Sequence, residues 1–422
     1  MQVESIVNRI ENYKGFVYEQ VRWSSRAGRT CLQVEVRARR GSRGWCSGCG
    51  EPGATYDHAR ARWYEYVPLW GFAVFWVYAR RRVNCPRCGV KVEAVPWAIG
   101  KRSLSKSYMQ FLATWARRLS WQEVATIFRT SWEKVFRSAE WVVSWGLEHR
   151  DLRGIASLGI DEVLWQKGHR YLTVVYQIDA HCRRLLWVGK ERTVKTLLRF
   201  FRFFGPARSG QITFICSDLW KPYLKVIRRK AGQAVHVLDR FHVVQYLNKA
   251  LDEVRAQEVK ELKKRGKEAI LTLTRWCLLK RPENLNPKQE ARLADLLRYN
   301  LKAVRAYLLK EDFQLLWQSR SLAAAQEFLK RWCTRALRSR IEPVKKVARS
   351  IRRHQELLLN WFRARGTISS GPTEGLNNRL KLTLRKAYGF RTFRAAEVAL
   401  DHSLGALLEP ECTHRFCRGA GF

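Results

Sequence analysis

Residues 157–190, SLGIDEVLWQKGHRYLTVVYQIDAHCRRLLWVGK, read as three successive strands, SLGIDEVLW, RYLTVVYQID and RRLLWVGK, joined by short polar turns. Outward along the chain follow a helix (TVKTLLRFFRFF), a strand (QITFICSD), a helix (LWKPYLKVIRRK) and a strand (AVHVLDR). The order β-β-β-α-β-α-β is that of the ribonuclease H-like fold, in which a meander feeds α/β units and the first and fourth strands are neighbours. The chain is therefore predicted to be multidomain α/β, with a ribonuclease H-like core.

Two acids interrupt these apolar strands: Asp161 lies in the first and Asp218 ends the fourth. A lone charge there is costly unless it is paired or metal-bound. Two such carboxylates can hold a pair of divalent cations about 3.5–4 Å apart, the geometry of in-line phosphoryl displacement. Hard carboxylate oxygens select magnesium, with manganese as a substitute. A third acid is expected from a distant helix, and Glu374 in SSGPTEGLNNRLKLTLRKAYGFR (369–391) fits that role.

On a helical wheel Glu374, Asn378, Lys381 and Arg385 share one face, opposite Leu376, Leu380 and Thr383. Glu374 is predicted to hold metal while Asn378, Arg379, Lys381 and Arg385 grip DNA phosphates beside it. The bland alternative is an acid in a first helical turn, favoured by the helix dipole and capped by Thr373 or Ser370. Asp239, at the end of the fifth strand in LDRFH, makes a D-x-x-H pair with His242, and both are secondary candidates for the metal site. Glu162 is assigned to the strand face opposite Asp161. With Asp179 it is a competing candidate, whose bland reading is a turn cap or a surface charge.

Between the second and third acids, residues 240–365 are almost wholly helical in pattern, and Asn286-Pro287 with Gln289 announces one helix by its capping box. This is the all-helical insertion. Toward the N-terminus lie two matched clips, CSGCG (Cys46, Cys49) and CPRCG (Cys85, Cys88). Four thiolates so arranged suit tetrahedral structural zinc, with an aromatic hairpin between the clips and His58 as a weaker substitute ligand. Residues 105–145 read as three helices, with Ser120/Glu123 and Thr130/Glu133 at the capping-box spacing. Two capped helices across a tight turn are a helix-turn-helix pattern, and Lys134, Arg137 and Ser138 are its predicted outward DNA contacts.

The expected organisation is an N-terminal segment (1–40), a zinc-binding module (41–98) and a helix-turn-helix domain (100–150). The first part of the catalytic core (155–245), the helical insertion (246–365), the third-acid helix of the core (366–408) and a tail (409–422) follow. The 422 residues carry 79 Lys and Arg against 37 Asp and Glu, a net charge of +42. Such an excess resists compaction unless a polyanion neutralises it, and nucleic acid is the obvious polyanion, although charge alone leaves a ribosomal or membrane-surface protein open. No apolar run is long enough to span a membrane, the N-terminus lacks a signal-peptide pattern, and eleven cysteines suit a reducing compartment. A cytoplasmic, nucleoid-associated protein is expected.

The motifs SLGIDEV, SDLWKPY, VLDRFHV and GPTEGLNNRLKLTLRKAYGFRTF, with the two-clip zinc module, resemble the ISL-three family of bacterial insertion-sequence transposases, which are DDE enzymes. The resemblance covers nearly the whole chain. It implies that Asp161, Asp218 and Glu374 are the catalytic triad and hold magnesium. It also implies strand cleavage at terminal inverted repeats, transfer to target DNA, and a homodimer or higher assembly on DNA. The runner-up reading is a catalytically silent DNA-binding protein derived from such a transposase, against which three intact acids argue.

Overall fold

The computed structural model describes residues 3–166, 168–266, 270–364, 371–386 and 389–411. They form two compact units, residues 1–151 with 380–422, and residues 152–379.

The first unit begins with helix α1 (Val3–Ile10) and strands β1 (Phe16–Arg26), β2 (Arg29–Ala38), β3 (Gly44–Trp45), β4 (Pro52–His58), β5 (Arg62–Leu69), β6 (Phe72–Tyr78), β7 (Arg81–Cys85) and β8 (Gly89–Val92). Two four-stranded sheets result, β1-β2-β6-β5 and β3-β4-β7-β8. Strand β2 runs parallel to β6, so the first 40 residues share a sheet with the segment expected to carry zinc. Alternation of apolar and polar residues in β5 and β6 buries Tyr64, Tyr66, Val74 and Trp76 on one face. Tyr66 stacks on Trp76 at 4.4 Å, and Trp97 meets the same cluster edge-on. The fully buried Glu93 is satisfied by the Tyr78 hydroxyl, the Arg81 backbone N–H and the Arg81 Nε, as a buried carboxylate must be.

Helices α2 (Lys106–Ala116), α3 (Trp121–Ile127) and α4 (Trp132–His149) follow. Ser120 and Glu123 form the expected capping box of α3. The cap of α4 is Ser131, whose side chain accepts from the Lys134 N–H, and not Thr130. The first helical residue is thus one position later than the sequence spacing of Thr130 and Glu133 suggested.

The second unit holds β9 (Ser157–Gln166), β10 (Arg170–Asp179), β11 (Cys182–Lys190), α5 (Val194–Phe204), α6 (Pro206–Gln211), β12 (Phe214–Ser217), α7 (Lys221–Lys230), β13 (Val235–Leu238) and α8 (Arg240–Lys264). The sheet order is β11-β10-β9-β12-β13, antiparallel across the meander and parallel from β9 through β13. The first and fourth strands are neighbours, as the element order requires. Phe200, Phe204 and Leu197 of α5 pack with Leu158, Ile160 and Ile215 to cover one face.

From α8 the chain enters the helical insertion: α9 (Arg275–Leu279), α10 (Pro287–Leu296), α11 (Lys302–Gln314), α12 (Leu322–Arg338), α13 (Glu342–Arg353) and α14 (Gln355–Arg363). Its core contains Leu247, Val254, Phe313, Trp332, Val344 and Leu358. Asn286 and Gln289 complete the predicted capping box of α10. The insertion docks on the sheet through α14, where Asn360 Nδ2 donates to the backbone carbonyl of His236 at 2.7 Å.

Helix α15 (Gly371–Lys386) carries Glu374 in its first turn. Gly159 makes room for its first turn: a Cβ there would lie 2.5 Å from Thr373 Oγ1. Helix α16 (Phe393–Leu404) belongs to the first unit, where Val398 packs with Ala139 and Val143 of α4. Residues 380–411 therefore complete the helical half of the first unit, although the sequence reading placed 366–408 with the catalytic core. Residues 412–422 of the expected tail lie outside the described residues.

Candidate active site and metal centre

Four thiols converge where the two clips end their hairpins. Cys46 follows β3 and Cys85 closes β7, both buried, while Cys49 and Cys88 sit in the turns, half-buried. The four Sγ atoms all lie within 4.8 Å of one another, and Cys49 and Cys85 approach to 3.5 Å. Gly50 and Gly89, which close the two C-x-x-C-G turns, adopt φ of 78° and 69°, a conformation glycine takes at little cost. Backbone N–H groups of Cys49 and Gly48 draw the Cys46 thiol down to about 7, which favours the thiolate a metal needs. Four sulfurs at this closeness suit a tetrahedral structural zinc ion. His58 is exposed at the end of β4 and takes no part in the cluster.

The acids sit where the parallel pairing of β9 with β12 ends, the place where open α/β sheets put their ligand clefts. Asp161 lies in β9, and Asp218 follows β12 directly. Both line one cleft of about 1070 Å³, together with Glu162, Arg192 and His242. Asp218 is held at both oxygens: Oδ1 accepts from the Trp220 N–H at 3.0 Å, and Oδ2 from Arg192 at 3.0 Å. Asp239 caps α8, accepting from the Phe241 N–H at 2.7 Å. His242, one turn into α8, places Nε2 3.7 Å from Asp161 and 3.6 Å from Asp239. Burial alone would lower its pKa, but the carboxylates of Asp161 and Asp239 outweigh that and push it up to about 9. Burial raises Asp218, offset in part by the Trp220 N–H and Arg192.

One residue of this cleft ranked only as a competitor in the sequence, and another escaped it. Glu162 was assigned to the opposite strand face, yet its side chain is only 7% exposed and it lines the same cleft, bonded to Arg192 at 3.0 Å. The physical reason is the end of β12. That strand pairs with β9 only as far as Cys216 opposite Gly159, leaving the β9 edge open beside Asp161 and Glu162. Burial and the nearby Asp218 charge raise the Glu162 pKa. The desolvation argument that singled out Asp161 applied equally to its neighbour. The missed residue is Asn377, buried on α15. Its Nδ2 donates to Asp161 Oδ2, and its Oδ1 accepts from the Tyr176 hydroxyl at 2.8 Å.

Glu374 is exposed and lines an adjoining cleft of about 420 Å³ with Phe241, Arg281 and Trp361. The two clefts share Asn248 and Leu279 as walls. Among the described residues, the four cysteines are the one group of three or more potential ligands gathered within 4.8 Å, so the three acids are not drawn to that closeness. The predicted helical wheel of α15 matches its burial: Glu374, Asn378, Arg379, Lys381 and Arg385 are exposed, and Leu376 and Leu380 are buried.

The predicted contacts on α4 need correction. Arg137 is exposed. Ser138 is fully buried beside Val135, Ala139 and Val142, and its hydroxyl donates back to the Lys134 carbonyl at 2.7 Å. It faces the core because it shares the apolar stripe of the helix. Lys134 is engaged in an ion pair with Glu65.

Residues 158–400 match the ISL3 transposase family, and residues 42–88 match the zinc-finger of transposase IS204/IS1001/IS1096/IS1165. The chain is 28% identical over 389 residues to the transposase for insertion sequence element IS1001 of Bordetella parapertussis, covering 92% of this chain and 94% of that protein. It is 30% identical over 376 residues to the transposase for insertion sequence element IS1557 of Mycobacterium tuberculosis, covering 83% of each. No described helix is long and apolar enough to cross a membrane. A four-thiol cluster inside the matched zinc finger, and two acids from adjacent strands inside the matched transposase region, agree with these likenesses: the chain belongs to the ISL3 family of transposases.

Proposed function

We propose that this protein binds the terminal inverted repeats of an insertion sequence, cleaves the DNA strands there and transfers them to target DNA. Asp161, Asp218 and Glu374 would hold magnesium, with manganese as a substitute. The observation that carries the reading is the meeting of Asp161 and Asp218, from adjacent strands, in one open cleft large enough for a DNA backbone. The strand order agrees with a ribonuclease H-like core.

The donor set fits the ion, because Asp161 and Asp218 offer hard carboxylate oxygens that bind magnesium well. When bound, the metal would activate a water or 3′-hydroxyl and stabilise the leaving oxygen. Asn377 and His242 orient Asp161, while the Trp220 N–H orients Asp218. Asp239 fixes the start of α8 and so the position of His242. Glu374 opens to the adjoining cleft, with Asn378, Arg379, Lys381 and Arg385 exposed on the same helix to meet phosphates. Exposed Arg137 and the helical module of the first unit would read the repeat, and the zinc site would hold the neighbouring hairpins in place. Joining two ends calls for a homodimer or higher assembly on DNA.

The test is an end-cleavage assay on labelled DNA from the borders of the protein's own gene, with magnesium or EDTA. Metal-dependent nicks at one phosphodiester are expected, lost in Asp218→Asn and in Glu374→Gln while end binding persists. Tight binding with no cut in magnesium or manganese would replace this reading with a silent DNA-binding derivative.

A further inference from the structure

The acid cleft contains its own cation. Arg192, between β11 and α5, donates from Nε to Glu162 Oε1 and from Nη2 to Asp218 Oδ2, each at 3.0 Å. The two carboxylate side chains are 7% and 8% exposed, and the Arg192 side chain is 31% exposed. Its plane is set by Trp220, whose ring centroid lies 4.5 Å from Cζ. The same Trp220 gives its backbone N–H to the other oxygen of Asp218. One residue thus locks both the carboxylate and the cation that neutralises it.

We propose that Arg192 is a built-in counter-ion and a positioning residue that couples metal binding to DNA binding. This rests on the reading that Asp218 holds a divalent cation. Asp161, Glu162 and Asp218 crowd three acids into one cleft, and burying like charges together is unfavourable unless cations neutralise them. Arg192 is the cation paired with two of them. A divalent cation approaching Asp218 Oδ2 competes with the guanidinium for the same oxygen and is repelled by its charge. Glu162 remains to hold Arg192 through Nε when Asp218 is surrendered. The freed Nη2 donor then lies in the cleft where the DNA backbone is expected, and a phosphate accepts such a planar fork well. DNA therefore relieves the competition, so metal and DNA each strengthen the other's binding, by the reciprocity of linked equilibria. Glu162 acts in this scheme as the anchor of Arg192.

The experiment is a manganese titration of the full-length protein, following the free ion by electron paramagnetic resonance. It is run with and without an uncleavable DNA end, for the wild type, Arg192→Gln, Arg192→Lys and Asp218→Asn. In Arg192→Gln the DNA-free affinity for manganese should rise by at least about fivefold, and the enhancement by DNA should fall toward none. Arg192→Lys keeps the charge and should stay near the wild type without DNA, which separates charge from mere packing. Unchanged or weaker manganese binding in Arg192→Gln, with binding lost in Asp218→Asn, overturns the counter-ion role alone. Manganese binding that Asp218→Asn leaves intact overturns the underlying metal assignment instead. A folded Arg192→Lys protein that binds manganese as tightly as Arg192→Gln would likewise end the proposal.

Discussion

Asn377 and Asp161, 216 positions apart in the chain, are joined by a hydrogen bond from Nδ2 to Oδ2. Tyr176 fixes the amide from behind by donating its hydroxyl to Oδ1. The buried amide therefore presents its NH₂ to the carboxylate in one orientation. Helix α15 thereby reaches the first acid through Asn377, three residues after Glu374.

Asn377→Leu should leave end binding within about twofold and reduce cleavage roughly 10–100-fold, the usual range for partners that orient a ligating group. Single-turnover cleavage at saturating protein checks this. A rate equal to the wild type would make the contact a packing detail.

Zinc removal should act on the fold of the first unit. Cys46→Ser or Cys85→Ser is expected to lose the bound ion, measured by metal analysis of the purified protein, and to lower the melting temperature. Strong chelators should reproduce the effect in the wild type, because binding free energy at a structural zinc site is folding free energy.

Gly146 of α4 reports on the docking of the C-terminal segment. A Cβ at this position would lie 2.7 Å from both Leu407 Cβ and the Leu408 carbonyl oxygen. In an open helix Gly→Ala stabilises by up to about 1 kcal/mol. Here Gly146→Ala should destabilise, by about 1–3 kcal/mol as overpacked sites do. Urea denaturation gives the sign directly, and a stabilised variant would show that the segment docks elsewhere.

Asp401 of α16 gives a pH dependence. Burial raises its pKa to about 7, with the Glu397 charge adding and Arg150 and Arg394 opposing. The unfolded chain releases this proton near the ordinary value of 3.8, whereas the folded chain keeps it to about 7. Across that window the unfolded state binds fewer protons, so stability falls as pH rises through it. Asp401→Asn should therefore raise the melting temperature at pH 8 and change it little at pH 4. Equal shifts at both pH values would contradict the assignment.

Much of this was legible in the chain itself. Asp161 and Asp218 announced themselves by interrupting apolar strands, and the cysteine clips by their repetition. The Ser120 and Asn286 capping boxes followed from spacing alone. Glu162 ranked only as a competitor because strict strand alternation assigns it to the far face, and only the early end of β12 opens the edge that lets it into the cleft. Ser138 was misplaced because the capping signal was read without the apolar stripe of Val135, Ala139 and Val142, which puts it on the buried side of α4. Arg192 carried no local signal, being one arginine among 79 basic residues.

By itself the sequence determined the local elements: strand and helix periods, caps, turn glycines and the four-sulfur framework, all governed by residues a few positions apart. The tertiary structure alone decided which side chains meet. It put Arg192 between Glu162 and Asp218, Asn377 on Asp161, Glu374 in the adjoining cleft, and α16 with α4. Those meetings depend on where strands end and how helices dock, which are properties of the packed whole that no short-range spacing encodes.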